Sequence, residues 1–134
     1  MNVSGIVAQV IAADSPANAL LAGRVYPGVV KQEAGYPAIA VNLVTPNPTN
    51  TKTQASDLDI ALVQVDVYGS TYTTTATASA AVRTALDYYA GTVSLTGGGT
   101  VVVAHIEYKN ENDGFVEKPD IFRRMCEYSI AIRR

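Results

Sequence analysis

Three carboxylates, one histidine, one cysteine and one glycine triplet are the groups from which a catalytic or metal centre could be assembled in this chain. Paired carboxylates can share a proton or hold a cation only when their oxygens lie within a few ångströms of each other. Asp57 and Asp59 stand at the entrance of the alternating run that ends in VQVDVYG (residues 63–69), and Asp66 lies seven residues or more along it. At ~3.3 Å per residue a strand holds Asp66 roughly 23 Å or more from both, so one chain cannot bring them together. Asp66 is therefore expected to be a surface carboxylate near the end of a strand, not a general base. His105 is the only histidine, which rules out a histidine-pair metal site; between Ala104 and Ile106 it reads as a half-buried sheet residue. Cys126 is the only cysteine and points the same way as Tyr128 and Ile130, the setting of an inert core thiol. Gly97, Gly98 and Gly99 lack the downstream lysine and hydroxyl of a phosphate-binding loop and lead into a strand, so they read as a turn. No catalytic, cofactor or metal set emerges, and the chain is expected not to be an enzyme.

The elements around these residues suit a single α+β domain. At 134 residues the chain fits one core, and 48% hydrophobic against 16% charged composition allows it to be packed. The net charge of -2 supplies no global positive field for nucleic acid. A lone cysteine leaves no internal disulfide and fits a reducing compartment. The N-terminal run MNVSGIVAQVIAADS lacks the basic and unbroken apolar regions of a signal peptide, and nothing approaches the ~20 apolar residues of a membrane span.

Val3, Ile6, Val7, Val10 and Ile11 make one face of a helix. Ser15 and Pro16 read as the cap and first-turn proline of a short second helix stopped by Gly23. Residues 24–27 are extended, and AIAVNLVT (38–45) is a strand rich in β-branched residues. Along residues 59–68, Ala61, Val63, Val65 and Val67 share a core face, while Leu62, Gln64, Asp66 and Tyr68 share a mixed one. After Gly69 the period changes: Ala78, Ala81, Val82, Ala85, Leu86 and Tyr89 form a helical stripe, with Gly91 placed as its left-handed terminal residue. The remainder is β: 92–96, 100–110, a turn at Asp113-Gly114, and 121–132 with Phe122, Cys126, Tyr128, Ile130 and Ile132 on one face and Arg123, Glu127, Ser129 and Arg133 on the other. The expected order is α-β-β-α-β-β, with two main helices on one face of a mainly antiparallel sheet.

Between the first two long strands, PNPTNTKTQASD (46–57) is polar and too long for a tight hairpin. It reads either as a solvated hairpin tip or as an arm that orders against a partner. On the second reading Asn47, Thr49, Asn50, Thr51, Lys52 and Gln54 of the arm join Asp66, Arg123 and Arg133, from the semi-polar sheet face, as the expected interface residues.

The order and spacing of four segments resemble the tail-completion (tail-terminator, or tail-to-head joining) proteins of long-tailed bacteriophages and prophages. The resemblance covers nearly the whole chain: the N-terminal helix followed by LLAGRVYPGVV (20–30), YPAIAVNLV (36–44), VQVDVYGSTYTTTATASAAVRTAL (63–86) and IFRRMCEYSIAIRR (121–134). The threonine run 73–75 and Cys126 depart from the usual pattern. The resemblance implies a structural virion protein at the head-proximal end of the tail, with no cofactor. It implies assembly of the α+β domain with itself into a ring, commonly a hexamer, that caps the tail tube protein, ends polymerisation and meets a head-completion or neck protein. DNA would pass through the lumen without specific binding, which net acidity favours. Two alternatives stay open: another head–tail connector (adaptor or stopper) ring, and a small ligand-binding α+β domain using Asp66, Tyr68 and His105.

Overall fold

The computed structural model describes residues 2–30, 35–50, 55–95, 97–116 and 121–133. Helix α1 (Val3–Ala12) buries Val3, Ile6, Val7, Val10 and Ile11, the stripe its periodicity predicts, and the Asn2 side chain caps it by accepting from the Gly5 N–H at 2.9 Å. Helix α2 (Ser15–Leu21) is capped by Asp14 rather than Ser15: the Asp14 carboxylate accepts from the Ala17 N–H at 3.1 Å. Proline just inside the start has no N–H to satisfy, so the cap sits one residue earlier than expected. The helix ends on Ala22 in the left-handed region (φ 47), one residue before Gly23.

Six strands follow around one further helix: β1 (Val25–Pro27), β2 (Ala38–Asn50), β3 (Ala55–Gly69), α3 (Tyr72–Leu86), β4 (Gly91–Ser94), β5 (Thr100–Val116) and β6 (Ile121–Arg133). They form one sheet in the order β1-β2-β3-β6-β5-β4. Every pairing is antiparallel except β1 with β2. The class is α+β as expected, but with three helices and a mixed sheet. Val63, Val65 and Val67 of β3, Cys126, Tyr128 and Ile130 of β6 and Ile106 of β5 are buried against α1 and α3 in one core. No described helix covers the opposite face.

Two segments differ from the sequence expectation for related reasons. Residues 46–50 and 55–57 are not loop: β2 and β3 continue as a ribbon in which Pro46 pairs with Ala61, Asn47 with Ile60 and Pro48 with Asp59. Likewise Asp113-Gly114 is no turn, because β5 runs on to Val116, with Asp113 opposite Arg124 and Gly114 opposite Arg123. Polar and turn-forming residues suit strands that project beyond the core, where no apolar face is demanded. The prolines are tolerated because β1 reaches only to Val41, leaving β2 an edge strand beyond it. The Val41 carbonyl faces outward, accepting from the Gly28 N–H at 3.0 Å. Alternation across the bulge between Leu43 and Thr45 turns Pro46 and Pro48 outward too. No ladder bond to β3 needs their missing N–H.

Helix α3 starts where the chain passes Gly69, whose missing Cβ would meet the Thr75 hydroxyl, with the Thr75 backbone nitrogen 3.0 Å away. The threonine run is capping chemistry: Thr71 Oγ1 accepts from the Thr74 N–H at 3.0 Å, and Thr75 Oγ1 donates to the Thr71 carbonyl at 2.8 Å. At the other end the chain reverses on Tyr88 (φ 65), not on Gly91, which already belongs to β4. The Tyr88 N–H donates to the Ile106 carbonyl (2.9 Å) and the Ile106 N–H to the Tyr89 carbonyl (3.0 Å), tying this corner to β5. Gly98 and Gly99 adopt positive φ, as a turn before β5 requires.

Candidate interaction surface

The doublet Arg123-Arg124 opens β6, and period-2 geometry sends the two guanidinium groups to opposite faces of the sheet. On the helix-free face, Arg123 Nη2 donates to Asp66 Oδ2 at 2.9 Å. Gln64 Nε2 donates to the same carboxylate at 2.9 and 3.2 Å. Asp66 is opposite Met125 in the ladder and Tyr68 opposite Arg123, so the ion pair runs diagonally between neighbouring strands. Asp66 is 2% exposed: the expected surface carboxylate is a buried one, neutralised by an arginine 57 residues away in sequence. The Arg123 guanidinium lies 5.8 Å from the Tyr68 ring centroid, and burial raises the Tyr68 hydroxyl above the usual tyrosine range. Arg123 Nε is itself buried without a partner.

On the helix side, Arg124 Nε donates to Asp113 Oδ1 at 2.7 Å and lies 3.5 Å from Glu111. Arg124 Nη2 also donates to the Tyr72 hydroxyl (3.2 Å), which donates to Asp113 Oδ2 (3.4 Å). The hydrogen bond from Arg124 holds the Asp113 carboxyl below its ordinary range, and Asp113 in turn raises the Arg124 guanidinium. The start of α3, β5 and β6 are thereby tied at one corner. Sequence reading missed this cluster because Asp113-Gly114 looked like a turn; two consecutive arginines in a strand were the available signal.

A third polar group surrounds the end of α3. The Arg83 guanidinium stacks 3.7 Å over the Tyr108 ring, and Asp87, 3.8 Å from Arg83 Nε, accepts from the Tyr108 N–H at 3.1 Å. A shallow cavity of about 290 Å³ is lined by Arg83, Thr84, Asp87 and Tyr88. His105 is exposed, not half-buried, because it pairs with Ala131 on the face of the sheet that no described helix covers; its ring lies 6.4 Å from that of Tyr88. His105 and Asp66 do not meet: β6 runs between their strands, and their side chains have different partners.

Cys126 is buried, with Ser79 Oγ 3.5 Å from its sulfur, and burial raises its thiol out of the reactive range. Arg133 lies exposed at the far end of β6, opposite Leu58 and Val102. Asn47, Thr49 and Asn50 belong to β2, while Thr51, Lys52 and Gln54 lie outside the described residues. Among the described residues no group of three or more His, Cys, Asp or Glu is placed to hold a metal ion, and no helix is long and apolar enough to cross a membrane. The described surface thus carries ion pairs made within the chain beside the edges of β2 and β5.

A family model described as tail completion protein gp17 matches residues 6–133. No curated protein matches the chain. Among solved structures, a chain from the "Virion of native gene transfer agent (GTA) particle" is similar at 20% sequence identity, covering 96% of this chain and 92% of its own, with a TM-score of 0.66. At that identity the likeness shows a shared fold.

Proposed function

This chain belongs to the tail completion protein family, and from that premise we propose that it caps the finished tail tube as a homo-oligomeric ring. It is a structural protein of the phage virion tail. In this reading it sits at the head-proximal end, six copies close a ring around the lumen, tube polymerisation stops there, and a head-completion or neck protein docks on the free side. The observation that carries the reading is the family match along 6–133, which includes α2, α3 and every strand of the domain and all of α1 but its first three residues.

The geometry supports it. The helix-free face presents groups already paired within the chain, so a neighbour could cover it without stranding charges. The β2–β3 ribbon runs on past the last β6 pairing, Leu58 with Arg133, to Asn50 opposite Ala55. In this reading Asn47, Thr49 and Asn50 would reach across a subunit boundary, with Thr51, Lys52 and Gln54 proposed as part of the same contact. Net charge of -2 lets DNA pass without adhering. The test is genetic and mechanical. Phage lacking this protein should accumulate DNA-filled heads beside unjoined tails, many of them longer than normal by electron microscopy. Normal-length tails joined to heads in its absence would overturn the proposal.

A further inference from the structure

We infer that successive copies join edge to edge, the outer edge of β5 around Asp113 in one copy pairing antiparallel with the outer edge of β2 around Asn47 in the next. The inference rests on the ring reading above and specifies its subunit contact.

The sheet ends in strands too short to close it. β1 covers β2 only opposite Ile39 to Val41, and β4 covers β5 only from Thr100 to Val103. Among the described residues two stretches of edge are left open, on opposite flanks of the sheet and toward opposite ends. On β5 the first part is satisfied internally, Ile106 by Tyr88 and Tyr89, and the Tyr108 N–H by Asp87. Beyond the bulge between Tyr108 and Asn110, alternation turns the backbone N–H and C=O of Glu111, Asp113 and Phe115 away from β6, with no described partner. Charged residues normally guard such an edge. Here Arg124 contacts both carboxylates, at 2.7 Å from Asp113 and 3.5 Å from Glu111, which leaves one net negative charge in place of two and weakens the guard without removing it.

The β2 edge is complementary. Pro46 and Pro48 offer outward carbonyls but no N–H, so this edge accepts and cannot pair with itself. Self-pairing of β5 about Asn112 would set Asp113 opposite the Glu111 of its copy, like charge against like charge. Pairing β5 with β2 avoids both faults. It also suits the chain directions: three antiparallel steps separate β2 from β5, so a copy set alongside presents its β2 antiparallel to β5. Joining two different edges is a heterologous contact, which closes into a ring when the rotation per copy allows. With Pro46 facing Asp113 and Pro48 facing Glu111, Asn47 falls opposite Asn112 as a non-hydrogen-bonded pair with Cα atoms ~4.5 Å apart, within disulfide reach.

The experiment is oxidative cross-linking in purified tails carrying Asn47→Cys and Asn112→Cys together, in a Cys126→Ala background. A ladder of cross-linked copies is expected from the double variant and none from either single one. Adding Asp113→Pro, which deletes one outward donor, should cut the cross-linked yield about tenfold, whereas Asp113→Ala, which keeps the N–H, should change it by about twofold or less. Rings visible on tails, with no cross-link here or with Gly114→Cys in place of Asn112→Cys, would sink the edge pairing and leave the ring reading standing. Cross-linking of the Asn112→Cys variant to itself would replace it with a two-fold contact. Tails without any ring of this subunit would remove both readings.

Discussion

Arg123 and Asp66 depend on each other unequally. Asp66 has 3% of its side chain exposed and Arg123 32%, so removing the arginine strands a buried carboxylate, whereas removing the carboxylate leaves a cation that water can still reach. Arg123→Ala should therefore cost about 3 kcal/mol, and Asp66→Asn, which keeps the shape and the Gln64 contact, about 1 kcal/mol, read from denaturant midpoints. Equal costs would mean that Asp66 is solvated. Tyr128 presents the opposite case: it is 1% exposed and its hydroxyl has no partner. Tyr128→Phe should be neutral or stabilising by about 1 kcal/mol, because an orphan polar group is removed at little loss of volume. Burial also raises the Tyr128 pKa, above the ordinary 10.0. A raised folded-state value contributes stability that is whole below the unfolded pKa and is lost as pH climbs past it. The wild-type protein should thus lose stability from about pH 10 upward, and the alkaline loss should be shallower in Tyr128→Phe.

At the scale of elements, the join between β3 and α3 leaves no room for a side chain at Gly69. Gly69 has an ordinary backbone conformation, but a side chain there would collide with the Thr75 hydroxyl and crowd its backbone nitrogen. Thr75 cannot yield easily, since its hydroxyl donates to the Thr71 carbonyl in the first turn. Gly69→Ala should destabilise by about 1–3 kcal/mol through overpacking. Thr75→Ala in the same chain should recover only part of that loss, because the backbone contact remains. Full recovery, seen in thermal unfolding of the double variant, would place the strain in the hydroxyl alone.

For the whole molecule, the decisive quantity is the balance of charge. Five ion pairs fall among the described residues, and the chain's net charge is only -2. Without a net positive field, the isolated protein should not retain duplex DNA in a filter-binding titration at 150 mM salt, a value at which non-specific binding rests on lysine and arginine contacts to phosphate (Kd roughly 10⁻⁴ M or weaker here). Micromolar retention that falls steeply with added salt would show a basic track through the lumen and contradict the picture of a passive conduit.

Local pattern by itself determined the α+β class and the core faces of α1, α3, β3 and β6, because buried apolar residues repeat with the period of their element; the family was legible separately, as a resemblance carried by four segments in order. Val63, Val65 and Val67 were legible for that reason, as was the inert setting of Cys126. What only the tertiary structure decided lies where no apolar period operates. Polar composition at 46–57 and an Asp-Gly pair at 113–114 carry turn signals, yet neighbouring strands supply the hydrogen bonds that hold most of the first segment and all of the second in the ladder. The pairing of Asp66 with Arg123 needed the β3–β6 register, which no spacing in the chain reveals. The open edges of β2 and β5 exist only because β1 and β4 stop early, a fact of sheet order rather than of any residue's propensity.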